Sequence, residues 1–225
     1  MSWLAATIHV LDFEGGRRTG VIEYGVATLR EGTVAAVQTR LCAAAAPLTL
    51  AETAVHGLRE VDTAGALPFA ADHALFSDLR QSGPLAAHHA PVERALLRRV
   101  WPVPPAAPDF SAPQFTTAPR VSDWGPWLDT RRLYERLYPS QPGYQLMELV
   151  RAFSLEDELA ALAARHCPVT RRRPHCALFD ALGAALLIAR LAREPALTEV
   201  SLGWLLSESA PPTEDEARRQ GELWE

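Results

Sequence analysis

Two acidic side chains open the chemistry this chain offers. In IHVLDFEGG, residues 8–16, an apolar run ends in Asp12 and Glu14 and meets a Gly-Gly pair. Side chains two residues apart in an extended strand point the same way, so the two carboxylates are neighbours and Phe13 faces away. Adjacent carboxylates repel each other unless a cation lies between them. A hard divalent ion with oxygen ligands meets that need, Mg²⁺ being the commonest. Taken alone, the pair also reads as two solvated acids at a strand-to-turn junction, so the motif needs partners further along. Two stretches supply them. In LAAHHAPVERALL a strand exit leads to Glu93 in the opening turn of a helix, and in PHCALFDALGAALL His175 precedes a helix with Asp180 about one turn in. Helix N-termini favour anionic groups nearby, a substrate phosphate included.

The elements that must position these residues follow from periodicity. After the first strand, Val21 to Leu29 and Thr33 to Leu41 alternate around a Glu31-Gly32 turn, the pattern of a β-hairpin. Residues 42–68 keep no sustained period and read as a connecting loop with short helical turns. Phe69 to Arg80 has apolar residues at helical spacing, SGPLAAHH holds a short buried strand with a polar exit, and Pro91 to Val100 is a helix. Trp101 to Pro126 contains seven prolines and no period, an insertion rather than a domain. Trp127 to Asp129 forms a last short strand, Asp129 being read as a strand-end cap rather than a ligand, and Thr130 to Tyr138 is the helix after it. Helices are expected over Tyr144 to Phe153, Leu155 to His166, Cys176 to Arg193 and Glu199 to Leu206, the third being the most apolar. Strands alternating with helices give an α/β domain around a mixed sheet. Residues 1–206 are read as one domain, and 207–225 as a polar tail.

The totals fit an ordinary globular protein: 225 residues, 48% hydrophobic and 22% charged. No apolar run reaches membrane-spanning length and no N-terminal signal pattern appears. Cys42, Cys167 and Cys176 have no zinc or redox spacing, so reduced thiols in a cytoplasmic protein are expected. A net charge of -5 argues against a general polyanion binder, although a local basic patch beside a metal site can serve a short substrate.

The order Asp-x-Glu, His-x-Ala-x-x-acid, His-x-Ala-x-x-Asp-Ala resembles the DnaQ-like 3′–5′ exonucleases of the DEDDh type. AVHGL, WLDTRRL and YQLMELVRAF resemble further family segments, and HCALFDA fits the third motif without a mismatch. The likeness spans about residues 8–191 and implies a ribonuclease H-like fold, a mixed five-stranded sheet flanked by helices. It departs from the family at Glu93, where Asp is usual, at His89, where Asn is usual, and at Phe13 and the Gly15-Gly16 pair.

By this resemblance, Asp12, Glu14, Glu93 and Asp180 hold two divalent cations, Mg²⁺ or Mn²⁺, roughly 3.5–4 Å apart across the attacking and leaving oxygens. His175 takes the proton of the attacking water, a role suited to imidazole because it titrates near neutrality. Phe13, Gly15, His56, Leu58, His88 and His89 line the terminal-nucleotide pocket. The implied reaction is hydrolysis of terminal phosphodiesters at single-stranded DNA or RNA 3′ ends, releasing nucleoside 5′-monophosphates.

Weaker candidates are Arg171, Arg172 and Arg173 as phosphate contacts or a solvated basic loop, and Trp101, Trp124 and Trp127 as base-stacking residues or pins for the insertion. Glu93 and the altered glycine turn also suit a rival, a nucleic-acid-binding scaffold with a disabled exonuclease fold. The acidic tail ending near Trp224 hints at docking on a DNA polymerase.

Overall fold

In a computed structural model of the chain, which describes residues 2–112 and 119–211, five strands form one mixed sheet. They are β1 (Ile8–Gly16), β2 (Gly20–Arg30), β3 (Thr33–Leu41), β4 (Leu85–Ala87) and, last in the chain, β7 (Trp127–Asp129), in the order β3-β2-β1-β4-β7. β1 to β3 are antiparallel, whereas β4 runs parallel to both β1 and β7. The strongly apolar, alternating N-terminal strands pair through tight turns. The three-residue β4 is buried, as are Leu128 and Asp129 of β7, and both strands need helical crossovers to run parallel.

Each face of the sheet has its own core. One holds Ile8, Val10, Ala27 and Leu29 against α8 (Ala177–Leu191), with α5 (Thr130–Leu137), α6 (Leu146–Ala152), α7 (Glu156–His166) and α10 (Leu202–Glu208) around it. All of α8 except Arg190 is buried, as its near-continuous apolar sequence requires. The other face holds Leu11, Phe13, Tyr24 and Val26 against α3 (His73–Ser82) and α4 (Pro91–Val100).

The loop after β3 contains α1 (Leu50–His56), whose N-terminus is closed by a Thr49–Glu52 capping box, and α2 (Glu60–Thr63). Phe69–Asp72 is a 3₁₀ turn leading into α3, so the helix expected over Phe69 to Arg80 begins four residues late. The described residues of the Pro-rich insertion include a small ladder, β5 (Ala107–Pro108) with β6 (Arg120–Val121), and Trp124, which is fully buried. A short helix not anticipated from periodicity, α9 (Pro195–Thr198), precedes α10. The last helix runs to Glu208 and Ser209 is buried, so the expected tail starts later than residue 207; its residues 212–225 lie outside the described ones, as do 113–118 of the insertion. Among the described residues no helix is long and apolar enough to cross a membrane, and all three cysteines are buried and free.

Candidate active site

Asp12 and Glu14 stand at the C-terminal end of β1 on the face that α8 covers. Register pairs Asp12 with Gly25 and Glu14 with Glu23 on β2, so these four residues share that face. Gly25 is where the helix lands: a Cβ there would lie 2.3 Å from the Leu178 nitrogen and 2.4 Å from the Ala177 carbonyl. Only a residue without a side chain admits the α8 backbone so close to the sheet. That contact delivers the first turn of α8, with Asp180, to the carboxylates of β1. Gly15 breaks the ladder beside them; its φ of 128° and a would-be Cβ 2.0 Å from the Gly20 carbonyl oxygen both exclude a side chain.

The buried Asp180 accepts the backbone N–H of His175 at 2.8 Å through Oδ2, leaving Oδ1 buried without a partner. Ligand atoms of Glu14, His175 and Asp180 all lie within 4.8 Å of one another. His175 itself is exposed, with φ at 59°, an unfavourable conformation for a non-glycine residue. Glu93 comes from the opposite side, in the first turn of α4; it is 5% exposed and its Oε2 has no partner. The connection before α4 is fixed by Asp129, which accepts the backbone N–H of His89 at 3.2 Å and of Ala90 at 3.1 Å while capping α5. Asp129 is therefore the cap the sequence implied.

The electrostatics show how closely these acids gather. Burial, then the charges of Asp180, Glu93, Glu14 and Glu23, push Asp12 well above the usual carboxylate range. Burial and the neighbouring Asp180 and Glu23 lift Glu14 to about 8, against the pull of Arg171 and Arg173. Burial lifts Glu93 to about 8, with Asp129 and Glu14 adding to it and its own backbone amide opposing. Asp180 rises to about 7, again chiefly from burial. Buried carboxylates that raise one another, with two oxygens left unpaired, form a donor set that suits hard divalent cations.

The other expected residues divide. Leu58 is buried and, with Gly57, Arg59, Arg173 and Cys176, lines a cavity of about 590 Å³ whose wall also includes Glu23. His56 is buried at the end of α1; its Nδ1 accepts the Leu58 amide at 3.0 Å, so Nε2 carries the proton, and it has no partner. His89 is exposed with φ at 76°. Two side chains are committed elsewhere. The Phe13 ring packs edge-on against Phe69 at 5.3 Å and Phe76 at 5.7 Å on the opposite face, because alternation along β1 turns it away from its acidic neighbours. His88 gives both ring nitrogens to the protein, to Thr130 Oγ1 and the Tyr144 carbonyl at 2.9 Å each, and burial pulls it down to about 4.

The basic run is also divided. Arg171 pairs with Glu23 and donates to the His56 carbonyl at 2.6 Å, and Arg172 donates to the Cys167 and Ala164 carbonyls. Arg173, exposed like Arg172, donates to the His56 carbonyl at 3.0 Å. Trp101 and Trp124 pin the insertion: their rings lie 5.8 Å apart, and the Trp124 indole donates to the Trp101 carbonyl at 2.7 Å.

Glu23 went unnoticed in the sequence. It is 4% exposed, ion-paired to Arg171, and accepts the Ala177 amide at 3.1 Å, so it fastens the start of α8. The signal was present: once the hairpin is assumed, alternation puts Glu23 beside Gly25 on the Asp12 face, two residues from a glycine that no strand needs for its own sake.

No family model and no curated protein sequence matches the chain. Solved structures do. Exonuclease X in complex with 5′-overhanging duplex DNA superposes with a TM-score of 0.58 at 20% identity, over 88% of this chain and 99% of that one. The nuclease domain of 3′hExo, a DEDDh family member bound to rAMP, gives 0.56 at 13% identity over 89% and 98%. E. coli exonuclease I in complex with a dT13 oligonucleotide gives 0.53 at 13% identity over 85% of this chain and 42% of its own length.

Proposed function

We propose that this chain, which has the ribonuclease H-like fold of the DEDDh 3′-exonucleases, is a divalent-metal-dependent 3′–5′ exonuclease acting on single-stranded ends. The observation that carries this reading is the convergence of Glu14, His175 and Asp180 within 4.8 Å, joined by the coupled charges of Asp12 and Glu93. Four carboxylates from β1, α4 and α8 would hold two Mg²⁺ or Mn²⁺ ions. When bound, such ions neutralise the phosphoryl charge and stabilise both the entering and the leaving oxygen.

The chain's own groups do the rest. Asp12, between the other three acids, is the natural shared ligand. His175, exposed at the mouth of the site, takes the proton of the attacking water and passes it to solvent. Its backbone N–H holds Asp180, so loop and ligand are set together. Leu58 bounds the terminal nucleoside, and Arg173, which lines the same cavity, offers a cation to its phosphate. The leaving product is a nucleoside 5′-monophosphate.

Purified protein incubated with a 5′-labelled oligonucleotide and Mn²⁺ should give a ladder shortened one nucleotide at a time from the 3′ end. Asp12→Ala should lower the rate at least about a hundredfold, since it removes several kcal/mol of charge stabilisation. Full activity in that variant excludes the site.

A further inference from the structure

Two histidines of this fold are wholly spent on protein groups. His9 gives both ring nitrogens to the Thr28 and Ser82 hydroxyls, and His88 gives both to Thr130 and the Tyr144 carbonyl. His175 differs. Among the described residues neither of its ring nitrogens has a partner, and only its backbone N–H is used, on Asp180. One grouping of three possible metal ligands gathers within 4.8 Å among those residues, and it is not carboxylate alone. Glu14 and Asp180 share it with His175, while Asp12 and Glu93 stand outside it. Asp180 Oδ1 is buried without a partner, and the Glu14 carboxylate, 8% exposed, accepts no hydrogen bond from the described residues. Ligand atoms that share an ion at about 2.0–2.2 Å stand about 3–4 Å apart, so closing on one takes movements of only about 1–2 Å.

The segment that carries His175 is fastened on both sides. Arg171 is paired with Glu23 before it, and the Ala177 amide is bound to Glu23 after it. The backbone N–H of His175 grips Asp180 at 2.8 Å, so ring and carboxylate are held in one place. Ligands set in advance lose little freedom on closing round an ion. The donor types then select that ion. Mg²⁺ prefers oxygen ligands and keeps its waters, whereas imidazole with carboxylates suits Zn²⁺, which takes three protein ligands and leaves a fourth position open. A neutral imidazole has a single acceptor nitrogen; once that nitrogen is on a metal, none is left to receive a proton from water.

We propose that Glu14, Asp180 and the His175 ring form a nitrogen-containing metal site that takes Zn²⁺ in preference to Mg²⁺, and that an ion seated there holds His175 away from the attacking water. The site deepens the exonuclease reading and rests on it only for the effect on cleavage. One equivalent of Mn²⁺ is added to the metal-stripped full chain, and pulsed EPR reads the coupling of directly bound nitrogen. The wild type should show that coupling. His175→Asn, whose new side chain tolerates a positive φ, should lose it while its circular dichroism stays native. By calorimetry, Zn²⁺ should bind about tenfold or more weakly to His175→Asn, with Mg²⁺ affinity within about twofold of wild type. One equivalent of Zn²⁺ should also lower Mg²⁺-driven cleavage by the wild type about tenfold or more. Mn²⁺ bound without nitrogen coupling in the wild type, a coupling that persists in His175→Asn, or an unchanged Zn²⁺ affinity each overturns the site. Undiminished cleavage with Zn²⁺ bound overturns its resting role. Cleavage without the nitrogen signal would leave the catalytic reading and sink the nitrogen site, and the signal without cleavage would do the reverse.

Discussion

Glu93 is the residue on which the proposed chemistry of this site turns. Its longer arm stands where the shorter Asp is usual in the proteins it resembles, yet it is buried, unpaired at Oε2, and electrostatically coupled to Glu14 and Asp129. A side chain that had lost its function would gain by turning to solvent or by finding a donor. Glu93 stays buried with only its own backbone amide as donor, leaving Oε2 unpaired, so on the proposed reading the glutamate itself serves as a ligand. Glu93→Asp, which withdraws the carboxylate by one methylene, should therefore lower kcat by about ten- to a hundredfold, measured by single-turnover cleavage with Mn²⁺. A rise of that size would favour the rival reading, a scaffold whose site is disabled by the glutamate. At the same scale, His88 and Phe13 show how a motif position can serve packing alone: each is fixed by partners in the fold, and neither has a free group to offer a nucleotide.

At the scale of elements, the site depends on how one helix meets one strand. Gly25 lets the start of α8 touch β2, Glu23 ties the Ala177 amide, and Arg171 clamps Glu23 to the end of α1 through the His56 carbonyl. Asp180 and His175 inherit their positions from that junction. Gly25→Ala forces a methyl into backbone atoms and should destabilise the protein by about 1–3 kcal/mol, a drop in Tm of roughly 2–10 °C by calorimetry. Because the displaced element carries Asp180, cleavage should fall in the surviving folded protein as well. A variant with wild-type Tm would mean that the helix does not rest on this strand as described.

For the whole molecule, the carboxylate cluster ties stability to pH and to cations. Glu14 and Glu93 hold protons up to about 8 and Asp180 up to about 7 in the folded chain, against ordinary values of 4.5 and 3.8. The folded state thus binds more protons than the unfolded one across this window. Their contribution is fully present below those ordinary values and is lost as pH rises through 7 to 8. In EDTA the Tm should fall from about pH 6 to about pH 9, and Mn²⁺ should raise it most at the alkaline end, where the carboxylates are ready to bind. A Tm that is flat with pH and indifferent to Mn²⁺ would contradict a shared cation site.

The chain's own pattern determined the elements and the four acids. Period-two alternation marks β1 to β3, helical spacing marks α4 and α8, and the placing of Asp12, Glu14, Glu93, His175 and Asp180 at strand ends and helix starts is local information. Periodicity also told that Phe13 turns away from its neighbours, though not that it would be sealed among Phe69 and Phe76. Only the tertiary structure decided which polar groups are spent. Arg171 reads as a free cation until Glu23, 148 residues away in sequence, is seen to hold it. Partners so distant are joined by packing, and packing depends on the shape of every surface between them rather than on any short run of residues.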